Sequence, residues 1–237
     1  VLSGSDADGR VYGEGGDDLL AGSVATDTLI GGVGDDTIAG SGGADVLEGG
    51  EDNDKIRGGG GDDHIDGGVG NDLIKGGTGD DRIYGDAGDD GIKAGDGDDT
   101  ISGGIGDDTI GGGDGNDVIT GGAGDDTISG GDGEDVAEFS GQMSDYRLDL
   151  SSNTVTDNDA TLDGDDGTDT LSGIETVRFS DGELSVSSDT EDEFLVNTHV
   201  GSTQQYSSVT SLSGGNYVVT WADSSGHDGG DGWDVRG

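Results

Sequence analysis

Aspartate recurs at every ninth residue across more than half of the 237-residue chain. The series has fourteen members, without an insertion or a gap. A branched aliphatic residue stands two places after almost every one of them, so two independent properties share one phase. Hard divalent cations prefer carboxylate oxygens, so we expect these side chains to be metal ligands. The aspartates are Asp18, Asp27, Asp36, Asp45, Asp54, Asp63, Asp72, Asp81, Asp90, Asp99, Asp108, Asp117, Asp126 and Asp135.

Calcium suits these carboxylates better than magnesium does. Ca²⁺ takes six to eight oxygens in a flexible shell, whereas Mg²⁺ demands a smaller octahedral shell and keeps its waters. Glycines two residues before the aspartates leave backbone carbonyls free to join such a shell. The candidate carbonyl ligands are therefore Gly34, Gly61, Gly70, Gly79, Gly88, Gly97, Gly106, Gly115, Gly124 and Gly133.

The elements that position these ligands follow from the repeat, whose type unit is Gly-Gly-Ile-Gly-Asp-Asp-Thr-Ile-Gly at 103–111. Its last three residues predict a very short strand, since the middle one is β-branched and apolar. Its first six residues predict a tight turn and no strand, because glycine supplies left-handed backbone angles. Two units make one coil, and seven stacked coils make a rod of about 34 Å. Places six and eight share parity, so both side chains point inward.

Hydrophobic burial alone does not account for such coils. Each coil buries only two branched aliphatic side chains, which is little against the backbone entropy of its residues. Stacked turns also bring inward carboxylates together, and like charges repel in a partly buried site. A cation between the turns attracts both carboxylates and so replaces this repulsion with attraction. The sequence therefore predicts a fold that depends on bound metal.

The units match Gly-Gly-x-Gly-x-Asp-x-U-x over 13–138, and in this the chain resembles the RTX (repeats-in-toxin) family. The resemblance implies an all-β fold, a right-handed parallel β-roll with two nonapeptides per coil and calcium between the turns on each edge. It implies that Asp18 shares an ion with Asp36, and so on up to Asp117 with Asp135. Seven turns per edge then hold about twelve Ca²⁺ ions.

Some units depart from the pattern. Ala25 and Asp52 replace the fourth-place glycine, and Ala94 replaces a first-place one, so we expect weaker sites there. The segment 4–12 keeps the phase at Val11 but has Gly9 where aspartate is expected. We interpret it as a degenerate starting unit.

The formal charge of −45, from 54 acidic and nine basic residues, excludes several functions. Such a charge with few aromatic residues is also typical of a disordered, solvating segment, but disorder needs no register, so we expect it only without calcium. Nucleic acid is excluded because phosphate binding needs basic surface. The charge also repels anionic membranes, and no apolar run has membrane-spanning length.

The chain has no cysteine and therefore no disulfides, but bound metal can supply the cross-links instead. Nothing in the sequence indicates an oligomeric state.

Five of the nine basic residues lie in the middle of the repeat, at outward places on both predicted sheets. Local charge balance on an acidic rod is one interpretation. The other is a face that binds an acidic polysaccharide of the cell surface or matrix, which the resemblance to the repeat modules of alginate epimerases implies. The five residues are Lys55, Arg57, Lys75, Arg82 and Lys93.

Residues 139–184 break the repeat and predict a small β cap. Phe139 is expected to plug the end of the roll, because Ala137 leaves room where a larger residue would sit and a stack must hide its open edge. Alternation in 146–150 and in 154–156, on either side of a polar turn, predicts a hairpin.

A later segment of the cap echoes the nonapeptide, with Gly167, Asp169 and Leu171 at the right intervals. A further calcium ion near Asp169 is one expectation. An EF-hand is the competing interpretation, but Thr168 stands where that loop needs glycine and Ile174 where it needs glutamate.

Residues 185–237 predict an acidic linker and the start of a further β domain. Strands are predicted at 194–196 and 216–221, with a turn at 213–216. This part resembles the β repeats of giant RTX-type surface proteins. The chain begins with Val1 and ends inside a predicted unit, so we expect it to be a piece of a longer polypeptide with domains 1–138, 139–184 and 185–237.

No catalytic pattern is present. The chain has neither a His-Glu-x-x-His zinc motif nor a Gly-x-Ser-x-Gly elbow, and we expect no enzyme activity. We expect a calcium-binding structural module of a secreted or surface protein, unfolded at low calcium and folded outside the cell. It would be a stiff spacer in an adhesin, surface-layer or matrix protein. The alternative is the accessory region of a protease, lipase or polysaccharide epimerase, exported by the type I route that the resemblance implies.

Overall fold

A computed structural model describes residues 2–3, 10–158, 166–186, 204–212 and 216–223. One 3-10 turn, Met143–Asp145, is the only regular element of this part that is not a strand. The strands are β1 (Leu2–Ser3), β2 (Arg10–Gly15), β3 (Leu19–Ala21), β4 (Thr28–Val33), β5 (Thr37–Ala39), β6 (Val46–Glu51), β7 (Lys55–Gly60), β8 (His64–Val69), β9 (Leu73–Thr78), β10 (Arg82–Ala87), β11 (Gly91–Asp96), β12 (Thr100–Ile105), β13 (Thr109–Asp114), β14 (Val118–Ala123), β15 (Thr127–Asp132), β16 (Val136–Glu138), β17 (Tyr146–Asp149), β18 (Thr154–Asp157), β19 (Thr168–Ser172), β20 (Thr176–Phe179), β21 (Gly182–Ser185), β22 (Gln204–Leu212) and β23 (Asn216–Asp223).

Strands alternate between two sheets along the chain. The first sheet has the order β1-β3-β5-β7-β9-β11-β13-β15-β19-β18-β17, and the second has the order β2-β4-β6-β8-β10-β12-β14-β16-β20-β21. Up to β16, neighbouring strands are parallel and pair residues eighteen apart, as Ile92 with Ile110 in the first sheet and Ile83 with Ile101 in the second. Two nonapeptides therefore make one coil, and the predicted all-β fold with a parallel β-roll is confirmed.

Most strands of the roll are longer than the sequence predicted. Strand β12 runs from place seven of one unit to place three of the next, so the prediction that the first six places contain no strand was wrong. Gly104, at place two, pairs with Asp86 while its φ is 121°. Glycine accepts that angle without steric cost, so the chain bends there without leaving the ladder. Only places four to six form the tight turn.

The core of the roll is a single column of aliphatic side chains. The column runs from Leu20 to Ile128 with no member more than 2% exposed. The inward direction that parity predicted for places six and eight is confirmed, since Asp108 and Ile110 are 1% and 2% exposed. The degenerate first unit joins the column through Val11, which is buried and pairs with Leu29.

An aromatic cluster closes the end of the roll. Phe139 falls at place one, which points inward, and it is the first large side chain at that place. Its ring is buried and packs on Tyr146 and Phe179, with centroids 5.3 and 5.8 Å away. Phe139 thus plugs the roll as the sequence predicted.

The cap then adds strands to both sheets. Strands β17 and β18 form the predicted antiparallel hairpin. Strand β19 pairs in parallel with β15, which sets Leu171 beside Ile128, and β20 pairs in parallel with β16, which sets Val177 beside Ala137. The cap therefore continues the two stacks beyond the last nonapeptide.

Strands β22 and β23 form a separate antiparallel hairpin. The predicted strand at 216–221 lies within β23, whereas the predicted strand at 194–196 and most of the predicted turn at 213–216 lie outside the described residues. In the described part of the chain no helix has the length and apolar character needed to cross a membrane.

Candidate metal centre

The buried aspartates form a hydrogen-bonded ladder along each edge of the roll. From Asp18 to Asp117, the backbone N–H of each sixth-place aspartate donates to Oδ1 of the aspartate eighteen residues later, at 2.7 to 2.9 Å. The bond from Asp90 to Asp108, for example, is 2.7 Å long. The twelve bonds join the same pairs that the sequence predicted to share ions, from Asp18 with Asp36 to Asp117 with Asp135.

The second oxygen of these carboxylates has no partner among the described residues. Twelve Oδ2 atoms are buried and accept no hydrogen bond, and their side chains are at most 3% exposed. A buried carboxylate oxygen without a partner is costly, and a cation is the partner that suits it. These oxygens belong to Asp36, Asp45, Asp54, Asp63, Asp72, Asp81, Asp90, Asp99, Asp108, Asp117, Asp126 and Asp135.

First-place glycines leave space around the unpartnered oxygens. A Cβ placed on Gly76 would lie 2.7 Å from the carbonyl oxygen of Ala94 in the next coil and would also collide with Oδ2 of Asp81. The space is therefore bordered by a carboxylate oxygen of one coil and a carbonyl oxygen of the next. Sequence reasoning did not assign these glycines to the site, although glycine occupies place one in all units but that of Ala94.

Fourth-place glycines point their carbonyls at the neighbouring coil. A Cβ placed on Gly79 would lie 2.5 Å from the carbonyl oxygen of Gly61, and no backbone hydrogen bond reaches these carbonyls within the described turns. No group of three or more His, Cys, Asp or Glu side chains converges in the part of the chain that the structure describes. The ten candidate glycines all have φ between 112° and 149°: Gly34, Gly61, Gly70, Gly79, Gly88, Gly97, Gly106, Gly115, Gly124 and Gly133.

Comparison with protein families agrees with this geometry. The family model described as RTX calcium-binding nonapeptide repeat (4 copies) matches residues 3–38, 39–74, 66–101, 75–110 and 102–137, which together exceed half of the chain. The chain belongs to this RTX family. No curated protein matches the chain. The repeats of the RTX family bind Ca²⁺, and a set of buried carboxylate and carbonyl oxygens fits that ion.

Burial dominates the electrostatics of the RTX roll in the absence of metal. Desolvation raises the pKa of Asp54, Asp90, Asp99 and Asp108 to about 7, against the lowering effect of the backbone N–H that each accepts. Repulsion from aspartates in neighbouring coils raises these pKa values further, but by less than burial does. The repulsion that the sequence predicted is therefore present but is the smaller cost.

Residues that replace glycine in the RTX turns keep a strained backbone angle. Asp52 keeps a positive φ of 79° at place four, and Glu14, Ser41 and Asp86 keep φ between 71° and 88° at place two. Such angles are unfavourable for residues with a side chain. The second-place substitutions were missed from the sequence, although each is visible as a non-glycine residue at that place.

The turn that contains Ala25 differs from the other RTX turns. Ser23 donates to Oδ2 of Asp27 from its backbone nitrogen at 2.6 Å and from its hydroxyl at 3.0 Å. Oδ2 of Asp27 thus accepts hydrogen bonds from the protein, whereas Oδ2 of the later aspartates of the repeat accepts none. Ala94 is buried, and Asp99 beside it still has an unpartnered Oδ2. Weaker sites at the turns of Ala25, Asp52 and Ala94 remain a prediction.

The cap continues the ladder beyond the RTX repeats. The N–H of Asp126 donates to Oδ1 of Asp169 at 2.8 Å, and Gly167 has a positive φ like the fourth-place glycines. The degenerate repeat thus takes the next position on this edge, and a further ion near Asp169 remains a prediction. On the other edge the N–H of Asp135 donates to Oε2 of Glu175 at 2.8 Å. Sequence reasoning missed Glu175, because no glycine-rich turn precedes it.

Proposed function

We propose that this chain is a calcium-dependent structural module of a secreted or surface protein, unfolded at cytosolic calcium and folded outside the cell. In this role it is a stiff spacer of an adhesin, surface-layer or matrix protein. The observation that carries the proposal is the row of unpartnered, buried Oδ2 atoms on both edges of the roll. Aspartate is rarely buried without a partner, and here a buried aspartate lies in nearly every turn of the roll.

Ion binding supplies the free energy that the interior lacks. A column one aliphatic residue wide buries little apolar surface for each ordered residue. Because the native turns bring the oxygens together and the unfolded chain does not, Ca²⁺ binds the folded state and stabilises it by mass action. Millimolar calcium outside the cell then favours the roll, and low calcium inside favours the unfolded chain.

The proposed ligand sets follow the ladder. Each ion lies between two stacked turns and takes oxygens from aspartates eighteen residues apart and from fourth-place carbonyls. Six gaps on each edge give about twelve Ca²⁺ ions. Turns with substituted glycines or with Ser23 beside Asp27 bind less tightly, since strain or an existing hydrogen bond opposes the ion.

A calcium titration of the metal-free chain, followed by far-ultraviolet circular dichroism, tests the folding switch. We expect a spectrum without β structure in chelator, a cooperative gain of β signal with Ca²⁺, and no equal gain with Mg²⁺ at the same ionic strength. A full β spectrum in chelator would show that the roll folds without metal and would refute the switch.

A second candidate function, binding of an anionic polysaccharide by the accessory region of a secreted enzyme, is supported by one surface. Lys55, Arg57, Lys75 and Lys93 form a basic ladder on the outer face of the first sheet, where Arg57 pairs with Lys75 and Lys75 with Lys93. Their side chains are exposed, and the ion pairs found among the described residues do not include them. Unpaired cations side by side on a chain of charge −45 present a positive row to a polyanion.

Binding of a polyuronate in calcium, measured for two charge-matched variants, tests this function. The first variant carries Lys75→Gln and Lys93→Gln, and the second carries Arg82→Gln and Arg147→Gln, which lie away from the basic ladder. We expect binding to fall only in the first. Equal binding of the polyuronate by both variants would contradict this function. Equal binding of a neutral polysaccharide by the chain would contradict it as well. Either result would leave the spacer as the proposed function.

A further inference from the structure

On the edge of the roll that contains Asp135, a turn of the cap covers the last turn of the repeat. After β19 the chain passes through Gly173 and Ile174 to Glu175, and β20 then pairs with β16. The backbone nitrogens of Glu175 and Thr176 both donate to the carbonyl oxygen of Asp135, at 3.1 and 3.0 Å. The cap turn is therefore stacked on the Asp135 turn as one coil is stacked on another.

Glu175 takes the place of the next aspartate in the ladder. The N–H of Asp135 donates to Oε2 of Glu175 at 2.8 Å, and the N–H of Asp117 donates in the same way to Oδ1 of Asp135 at 2.8 Å. Glu175 also directly precedes Thr176, the partner of Val136 at place seven, so it stands at place six. Only Ile174 separates it from Gly173 at place one, where a nonapeptide has four residues. The longer side chain of glutamate spans this shortened turn.

The other carboxylate oxygen of Asp135 faces the gap below the cap turn. Its Oδ2 atom is buried without a partner, and the side chain is 0% exposed. A Cβ placed on Gly130 would collide with this Oδ2 and with the carbonyl oxygen of Gly173, so both atoms face the same space. Inside the roll, Oδ2 of Asp117 and the carbonyl of Gly130 border such a space in the same way. The unpartnered oxygen of Asp135 is therefore aimed into the gap below the cap.

We propose that the cap completes an additional calcium site from Asp135, Glu175 and the carbonyl of Gly173, outside the nonapeptide repeats. This inference rests on the proposed function, since it extends the same ion ladder by one gap. Between places one and six the cap turn has one residue where a nonapeptide has four, so it offers fewer carbonyls, and water completes more of the ion's shell than in the roll. The site links the cap to the last coil by a metal contact as well as by the strand pairs.

Crystals of the full chain grown in calcium, with anomalous diffraction, test the site directly. We expect an anomalous peak between the carboxylates of Asp135 and Glu175, in addition to peaks in the gaps of the roll. Peaks throughout the roll with none at Glu175 would overturn this inference and leave the proposed function intact. The absence of peaks in every gap would instead contradict the proposed function.

The variant Glu175→Gln keeps an oxygen that accepts the N–H of Asp135 but removes the charge. We expect its peak at this gap to be lost while the peaks of the roll remain. Glu183→Gln removes the same charge from β21, away from the gap, and should keep the peak. If Glu175→Gln does not crystallise, native mass spectrometry in calcium should count one ion fewer than in the Glu183→Gln control. An equal count would show that Glu175 is not a ligand.

Discussion

At the scale of single residues, the interior aspartate divides two tasks between its two oxygens. Oδ1 accepts a backbone N–H of the previous coil, which fixes the carboxylate in place. Oδ2 accepts no hydrogen bond, and we propose it as the ligand of the ion. An asparagine side chain could accept the same hydrogen bond from the backbone N–H. We therefore propose that the negative charge of the aspartate serves the second oxygen, Oδ2.

The pair Asp107 and Asp108 separates these roles. Asp108→Asn keeps an oxygen for the N–H of Asp90 but removes the buried charge, whereas Asp107→Asn removes the same charge from an exposed neighbour. In calcium we expect Asp108→Asn to lower the free energy of unfolding by about 3–5 kcal/mol, as for one partner of a buried ion pair. Asp107→Asn should change it by less than about 0.5 kcal/mol. Urea unfolding in calcium measures both, and equal effects would contradict an ion at Asp108.

The raised pKa values give the metal-free roll and the calcium-bound roll opposite responses to pH. An acid whose folded pKa is raised stabilises the fold below its unfolded value of 3.8, and this stability is lost as the pH rises through the folded value, about 7 for Asp90 and Asp99. Metal-free protein should therefore gain β signal as the pH falls from 8 to 4.5. Calcium requires the ionised carboxylates, so the calcium midpoint should rise over the same range. A midpoint that does not depend on pH would show that these carboxylates do not bind the ion.

At the scale of the turn and strand, glycine performs two different tasks. Places two and four need it for a positive φ, as at Gly104 and Gly106. Place one needs it for space, since a Cβ on Gly103 would collide with Oδ2 of Asp108. The first requirement concerns the backbone angle, and the second concerns the space beside the unpartnered carboxylate oxygen.

Two alanine substitutions isolate the second requirement. Neither Gly103 nor Gly111 has a positive φ, but a Cβ on Gly111 meets nothing closer than the carbonyl oxygen of Ile92 at 3.9 Å. We expect Gly111→Ala to be neutral or to stabilise by about 0.4–1 kcal/mol, since it restricts the unfolded chain. Gly103→Ala should shift the calcium midpoint to higher concentration. Thermal unfolding at a series of calcium concentrations compares the two variants. An equal calcium dependence of the two would show that place one does not belong to the site.

The sequence predicts the coil well because two properties share one period. Aspartate at place six and an aliphatic residue at place eight fix the register, the inward faces and the parallel stacking. Strand length was mispredicted because glycine at places one and two allows either a turn or a bent strand, and only pairing across coils decides. Glu175 was missed because a cap turn of different length brings it to the ladder, and no period marks that return.

At the scale of the whole molecule, the proposed folding switch links the size of the chain to calcium. Self-repulsion at −45 opposes any compact state, and the described part of the roll concentrates the carboxylates on its edges. With the proposed ligand sets, bound calcium neutralises part of that charge and holds stacked turns together. We therefore expect the size of the chain to depend on ion binding in the gaps as well as on screening in the solvent.

Small-angle X-ray scattering can separate these two effects. An unfolded chain of this length has a radius of gyration of about 53 Å. We expect a value near or above this in chelator at low salt, and a much smaller one in millimolar calcium. Magnesium at the same concentration screens charge equally but suits the gaps poorly, so it should contract the chain only slightly. Because the two ions differ only in how they fit the oxygens between the coils, an equal contraction would assign the compaction to screening and contradict the ion ladder.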